Sequence, residues 1–290
     1  MNNPWTYPGE LPAWFQRAIE TPTESKFADA AGARVHYLSW NEHERDKPPL
    51  LFLHGMRGHA RWWSFIAPYF TERYRVYALD FSGMGQSEGR AEFNAEIFLE
   101  DIKAVIRAEG GGPFSLVAHS FGGTRALRLC ADEPALITRA IILDSYAHFP
   151  AVEKEEPFIT PRPRRLYPTY QDARARYRLT PAEHAAAPYI IDYLAHHSIE
   201  EVAGGFRWLF ADNLGGKLLE VDGPSLLARI HVPVICMHGA MSRVTRNGRA
   251  QRIVDHISGA RGSFAIPEAH HHLMLDQPLA LVAALRTVLF

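Results

Sequence analysis

The sequence predicts an open, doubly wound α/β sheet, mostly parallel, interrupted by one inserted helical block. Three observations predict it. Strand-like apolar runs alternate with helix-like runs over most of the 290 residues. Most of those runs are continuously apolar, which suits parallel strands covered on both faces. The rhythm stops between residues 147 and 222, where charged, proline-rich and helix-like sequence replaces it.

The elements follow in order. Strands are expected at residues 34–39, 50–54, 75–80, 114–118, 140–144, 232–238 and 262–266. Helices are expected at residues 62–69, 95–108, 121–131, 247–257 and 278–289. Asn94 stands where a cap of the second helix belongs, because its side chain can accept from a free N–H of the first turn. The inserted block opens with a charged, proline-rich run at residues 153–168 and continues with helices near 170–177 and 185–197. It carries no strong strand signal. The expected division is therefore a core of residues 1–146 and 223–290 with a helical cap at 147–222. In open sheets of this kind ligands bind at the carboxyl ends of the strands.

Bulk composition narrows the function classes. The chain is 47% hydrophobic and 22% charged, with a net charge of -1. There is no basic surplus to suggest a nucleic-acid partner. No stretch approaches the roughly 20 apolar residues that span a bilayer, so no membrane partner is expected. The start, Met1 to Tyr7, has neither a basic nor an apolar leader region, and the expected compartment is the cytoplasm. Cys130 and Cys236 read as buried thiols on a helix and a strand.

The chemistry centres on Val117-Ala118-His119-Ser120-Phe121-Gly122-Gly123, between a strand run and a helix run. A serine flanked by small residues at such a junction is the pattern of a nucleophile elbow. Ala118 and Gly122 are the small residues two before and two after it. Ala replaces the usual Gly at the first of these positions. Serine also caps helices, but the flanking small residues ask for more than a cap.

With these residues in view the chain resembles the α/β-hydrolase superfamily. The likeness runs over its whole length. The markers are His54-Gly55 after a strand, Asp80-Phe81-Ser82-Gly83-Met84-Gly85-Gln86-Ser87, the elbow at Ser120, and Ala269-His270-His271-His272 followed by Asp276-Gln277-Pro278. The resemblance implies Ser120 as nucleophile and a histidine near the C-terminus as base. Counting back from Asp276-Gln277-Pro278 favours His271, with His270 and His272 as alternatives. The acid departs from the common pattern. Gly239-Ala240-Met241-Ser242-Arg243 carries Ser242 where most relatives have Asp. Serine cannot hold the charge that stabilises an imidazolium. A variant of the superfamily takes the acid from the strand after the nucleophile helix, which here points to Asp144. Asp144 could instead cap the entry to the inserted block. Glu268 and Asp255 are more remote candidates.

The oxyanion hole is expected from the backbone N–H groups of Phe121 and Met56. Arg57, His54 and Trp208 are expected to face the substrate. Arg57 could pair with a substrate carboxylate, as could a cap arginine among Arg162, Arg164, Arg165, Arg174, Arg176 and Arg178, although arginine is usually a solvated surface residue. Arg243 sits on a second loop at the mouth. Trp62, Trp63, Phe206, Trp208 and Phe210 suggest a pocket wall, though helical spacing at residues 206–210 is more often plain core packing. Gly83-Met84-Gly85 lacks the full dinucleotide-binding pattern and reads as a tight turn. The histidine run reads poorly as a metal site, because neighbouring loop residues point different ways.

The stretch Tyr167 to Leu179, with Gly204-Gly205-Phe206-Arg207-Trp208, is similar to bacterial capped hydrolases of mostly unassigned substrate. The resemblance implies a serine hydrolase acting on a small-molecule carboxylic ester, lactone or thioester, as a monomer or homodimer, with no cofactor and no metal. Carbon–carbon hydrolysis, cofactor-free oxygenation and non-catalytic ligand binding are the alternatives on the same fold. Haloalkane dehalogenase and epoxide hydrolase chemistry fits less well, since those enzymes carry Asp at the elbow.

Overall fold

The computed structural model describes residues 5–153, 158–217 and 222–290. The expectation about the chain start falls partly on residues 1–4, and the opening run of the inserted block includes 154–157; these lie outside the described residues.

The chain begins with α1 (Ala13–Ile19) and the hairpin β1 (Glu24–Ala30) and β2 (Ala33–Trp40). Then come β3 (Pro49–Leu53), β4 (Arg75–Leu79), α2 (Ala95–Ala108), β5 (Phe114–His119), α3 (Phe121–Asp132) and β6 (Ile137–Leu143). The inserted stretch holds β7 (Phe158–Ile159), α4 (Tyr170–Ala175), α5 (Pro188–His197), β8 (Ile199–Val202), β9 (Gly205–Trp208) and β10 (Gly216–Lys217). The chain closes with α6 (Gly223–Leu227), β11 (Val234–Gly239), α7 (Arg249–Asp255), β12 (Ala260–Ile266), α8 (Leu273–Asp276) and α9 (Pro278–Leu289).

Eight strands form one sheet in the order β1-β2-β4-β3-β5-β6-β11-β12. The pairs β1–β2 and β2–β4 are antiparallel, and the rest are parallel. This is the doubly wound, mostly parallel sheet that the sequence predicts. The continuous apolar runs have a direct cause. On β3, Leu51 and Leu53 pack on one face with Ile102 and Val105 of α2 and Leu127 of α3. Leu50 and Phe52 pack on the other with Trp63, Phe70 and Leu285 of α9. Each such side chain contributes ~1.5–3 kcal/mol by leaving water. Asn94 caps α2 as expected, its Oδ1 accepting from Ile97 N at 3.0 Å.

The fold differs from the sequence reading in three places. The helix expected at 62–69 is two 3-10 turns, Ala60–Trp63 and Ala67–Phe70. Pro68 has no N–H to donate to a continuous helix and opens the second turn instead. The inserted stretch does contain strands. Residues 206–210, spaced like a helix, lie largely in β9, which pairs antiparallel with β8. Elements α1, β1, α6 and α8 were not expected. β1 buries only Ala28 and Ala30, too little to leave an apolar pattern. Among the described residues no helix is long and apolar enough to cross a membrane. Cys130 and Cys236 are buried, and burial pushes both thiols up to about 12.

The topology locates a site. From β3 the chain goes to β4 on one side, while β5 lies on the other. The loops leaving β3 and β5 therefore diverge and open a crevice at their carboxyl ends. Ser120 sits directly after β5, and His54 and Met56 follow β3.

Candidate active site

Ser120 joins β5 to α3 with φ 51° and ψ -116°, a conformation that a side chain-bearing residue adopts only under strain. Such backbone strain costs ~1–3 kcal/mol and needs neighbours to hold it. Here Ser120 N donates to Leu143 O at 2.9 Å. Ser145 Oγ donates to Ser120 O at 2.7 Å. The turn brings α3 against β3 so closely that a Cβ on Gly122 would lie 2.7 Å from His54 O and 2.9 Å from Leu53 O. This is the physical demand for a small residue two places after the serine.

The hydroxyl of Ser120 lies 2.9 Å from His271 Nε2. His271 Nδ1 lies 2.8 Å from Asp144 Oδ1. A carboxylate only accepts, so Nδ1 carries the proton and Nε2 is free to accept from the serine. His271 and Asp144 are buried while Ser120 is partly exposed. The three predicted residues thus meet in one chain of hydrogen bonds.

The other two histidines of the run are engaged elsewhere. His270 Nδ1 and the His270 N–H both face Asp276 Oδ2, at 3.0 and 2.8 Å. His272 is buried against Trp62, with ring centroids 5.5 Å apart. Burial, reinforced by the neighbouring His271, holds its pKa well below the usual imidazole range. The alternative acids lie on the surface: Asp255 bonds Gln251, and Glu268 is exposed.

Asp144 follows β6 with φ 44°. Its N–H donates to Met237 O at 2.7 Å, extending the β6–β11 pairing by one bond. Both carboxylate oxygens are fully used. Oδ1 accepts from His271 and from Ser242 Oγ at 2.7 Å. Oδ2 accepts from Gly239 N at 2.8 Å and Thr245 Oγ1 at 3.2 Å. Ser242, standing where an acid was sought, serves as a donor to the acid. Thr245 and Gly239 escaped the sequence reading, because a hydroxyl and a backbone N–H leave no distinctive pattern. So did His119, whose Nε2 donates to the His271 carbonyl at 2.9 Å and so anchors the base's main chain. Burial first, then His271 and His272, keep His119 well below the usual range and therefore neutral.

Phe121 opens α3, so its N–H is one of the orphan donors of a helix start. Among the described residues no acceptor takes the Met56 N–H, whereas the next one, Arg57 N, points at Met84 Sδ at 3.1 Å. Met56 and Phe121 flank a small cavity of about 10 Å³, close to the room one water-sized group needs. A Cβ on Gly55 would stand 3.3 Å from Ser120 Cβ, so this loop lies against the elbow.

His54 is a correction. It is wholly buried, its Nδ1 donating to Gly55 O at 2.7 Å and its Nε2 accepting from Phe81 N at 3.1 Å. Both ring nitrogens are spent on joining the ends of β3 and β4, so the side chain does not face a substrate. Arg57 and Trp208 do line a cavity. It measures about 510 Å³ and is walled also by Trp62, Tyr177, Leu179 and Phe210. Its lining reaches the elbow region at Met56; Ser120 and His271 lie beyond it. Trp63 belongs to the core against Phe52, and Phe206 packs on Tyr170. Arg243 is bound to Glu183 at 2.7 Å, away from the cavity. The turn after β4 is tied down by Asp80, which accepts from His36 Nδ1 at 2.7 Å and Gln86 N at 2.8 Å. Burial alone would raise the Asp80 pKa, but the His36 bond and nearby imidazoles prevail and bring it to about 2.

Known proteins agree with this architecture. The sequence profile described as "Alpha/beta hydrolase family" matches residues 50–285. A "Serine hydrolase-like protein" of Danio rerio is 25% identical over 263 residues, covering 80% of this chain and 78% of that one. A "3-oxoadipate enol-lactonase 2" of Acinetobacter baylyi is 24% identical over 262 residues, covering 90% of this chain and 94% of that one. The solved "Thioesterase Domain From Curacin Biosynthetic Pathway" superposes with a TM-score of 0.76 at 23% identity, covering 91% of this chain and 99% of that one. With the match spanning most of the sheet and its carboxyl-end loops, the chain belongs to the alpha/beta hydrolase family.

Proposed function

We propose that this protein is a serine hydrolase that cleaves a small to medium carboxylic ester, lactone or thioester through an acyl-enzyme. The observation that carries the reading is the unbroken chain from Ser120 Oγ through His271 to Asp144, at 2.9 and 2.8 Å. The distances fall within hydrogen-bond reach for a nucleophile, its base and the group orienting the base. Residues 147–222 act as the cap. The cavity, about 510 Å³, falls in the ~300–1,000 Å³ range of small-molecule sites.

The steps follow from the geometry. His271 Nε2 takes the Ser120 proton as Oγ attacks the carbonyl carbon. Asp144 holds Nδ1–H and stabilises the imidazolium. The Met56 and Phe121 N–H groups receive the oxyanion, each worth ~3 kcal/mol in the transition state. His271 then protonates the leaving oxygen or sulfur. A water, deprotonated by the same nitrogen, releases the acid and restores Ser120.

A serine-directed phosphonate should label Ser120, and Ser120→Ala should abolish p-nitrophenyl ester turnover. Adduct mapped to another residue would refute the assignment. Ester turnover surviving in Ser120→Ala would indicate direct attack by a water that His271 deprotonates, without an acyl-enzyme.

A further inference from the structure

We infer that the substrate is an anion, and that its charged group is held by Arg57 at the inner wall of the cavity, with Arg162, Arg176 and Arg178 around the rim. This deepens the ester-hydrolase reading and rests on it. The cavity lining includes four arginines and, among the described residues, no carboxylate. Of the other four arginines in residues 147–222, three are paired, Arg164 with Asp212, Arg174 with Asp192 and Arg207 with Glu200, while Arg165 lies over the Tyr167 ring. None of the four cavity arginines has a carboxylate partner among the described residues.

Arg57 is the distinctive member. Arg162, Arg176 and Arg178 are exposed, whereas Arg57 is partly buried. It is fixed by a bond from Nη2 to Thr160 O at 3.0 Å and by stacking over Phe210 at 5.4 Å. Its Nε is buried and, among the described residues, has no partner. A buried, unpaired guanidinium donor costs stability unless something accepts from it. Burial, and then repulsion from Arg162, lower the Arg57 pKa. An oxyanion placed between Arg57 and Arg162 would offset their repulsion and compensate the buried charge of Arg57. Arg57 directly follows Met56, so the residue that would hold the anion adjoins an expected oxyanion donor. A guanidinium fork suits a carboxylate or a phosphate equally.

Paired substrates separate these sources. The carboxylate arm compares mono-p-nitrophenyl glutarate with its neutral methyl ester. The phosphate arm compares an S-acyl phosphopantetheine with the same S-acyl pantetheine. In at least one arm the anion should be preferred by about tenfold or more in kcat/KM, the scale of one charge-assisted hydrogen bond. Arg57→Met should bring that preference close to unity, and Arg57→Lys should keep part of it. Arg243→Ala, outside the cavity, should leave it unchanged. Equal kcat/KM in both arms, or a preference that survives Arg57→Met, would overturn the inference while leaving ester hydrolysis intact. If neither neutral nor anionic esters turn over and Ser120 resists phosphonate, the hydrolase reading has failed instead. Anion binding is then read directly: glutarate or inorganic phosphate should raise the Tm of the natural protein but not of Arg57→Met, and no shift with either overturns it.

Discussion

Replacing Asp144 by Asn tests the wiring of the triad most sharply. Asp144 accepts four hydrogen bonds: His271 and Ser242 on Oδ1, Gly239 N–H and Thr245 on Oδ2. An amide must turn its NH₂ toward one of these pairs. The Gly239 N–H cannot become an acceptor, while the Ser242 hydroxyl can rotate and accept. The amide oxygen therefore takes the Gly239 side, and NH₂ faces His271. His271 Nδ1 must then accept, which puts the ring proton on Nε2, facing Ser120. A nitrogen that already carries a proton cannot take one from serine. In serine proteases the corresponding change lowers kcat by ~10⁴, or about 5.5 kcal/mol of transition-state stabilisation, and the same scale is expected here. Ser242→Ala removes one of four donors, so about a tenfold loss is expected. Ser242→Asp in the natural background sets two carboxylates side by side and should also lower activity. In the Asp144→Asn background it should restore part of it, because Ser242 Oγ lies only 2.7 Å from Asp144 Oδ1. The assay is kcat on a short p-nitrophenyl ester, with phosphonate labelling rate as a second readout. Activity within tenfold of normal in Asp144→Asn, together with its abolition in Ser242→Ala, would refute the assignment of the acid.

Two further outcomes concern stability. Gly122→Ala drives a methyl into the His54 and Leu53 carbonyls; overpacking of this kind costs ~1–3 kcal/mol, visible as a lower Tm with impaired ester turnover, and an unchanged Tm would argue against the tight elbow. His54, His59, His119 and His272 are buried and His197 is partly buried, all with lowered pKa values, His59 to about 3 and His197 to about 2, with burial the leading cause in each. Unfolding lets each take a proton, so their contribution is complete above the unfolded value near 6.5 and is lost as pH falls below it toward the folded values. Each costs up to ~1.4 kcal/mol per pH unit in that window. A Tm scan should therefore fall by ~10 °C or more between pH 7.5 and 5.5, and a flat profile would contradict the burial.

Much of this molecule could be read from the sequence, for identifiable reasons. Strands covered on both faces bury successive positions, and the apolar runs within β3 to β6, such as Leu50–Leu53, Leu116–Ala118 and Ala140–Leu143, declare themselves that way. α2 and α9 show helical periodicity ended by a cap or a proline, and their observed bounds match the expected ones. What stayed hidden depends on tertiary pairing. Phe206 and Trp208 suit a helix or a strand locally, and only pairing with β8 decides between them. The contact of Asp144 with His271 was legible through the absence of an acid at residue 242. His54 misled because a histidine at a strand end looks available, and nothing local says that Phe81 N and Gly55 O will occupy both nitrogens.

The proposed place of the acid, at Asp144, has a structural rationale. A triad needs a carboxylate beside the Nδ1 of its histidine, and it does not matter which strand delivers it. Here β6 and β11 are parallel neighbours whose last paired residues are Leu143 and Met237. Neighbouring strands lie ~4.8 Å apart, so the residues that leave their carboxyl ends share one small volume. Asp144 enters it from β6; Gly239, Ser242 and Thr245 enter it from β11 and all donate to the acid. An acid at 242 with a donor at 144 would occupy the same volume with the roles exchanged. What cannot be exchanged is the number of negative charges, since two carboxylates there would repel and none would leave His271 unheld. On the proposed mechanism the pair at 144 and 242 acts as one unit, and a change at either position has to be judged with the other.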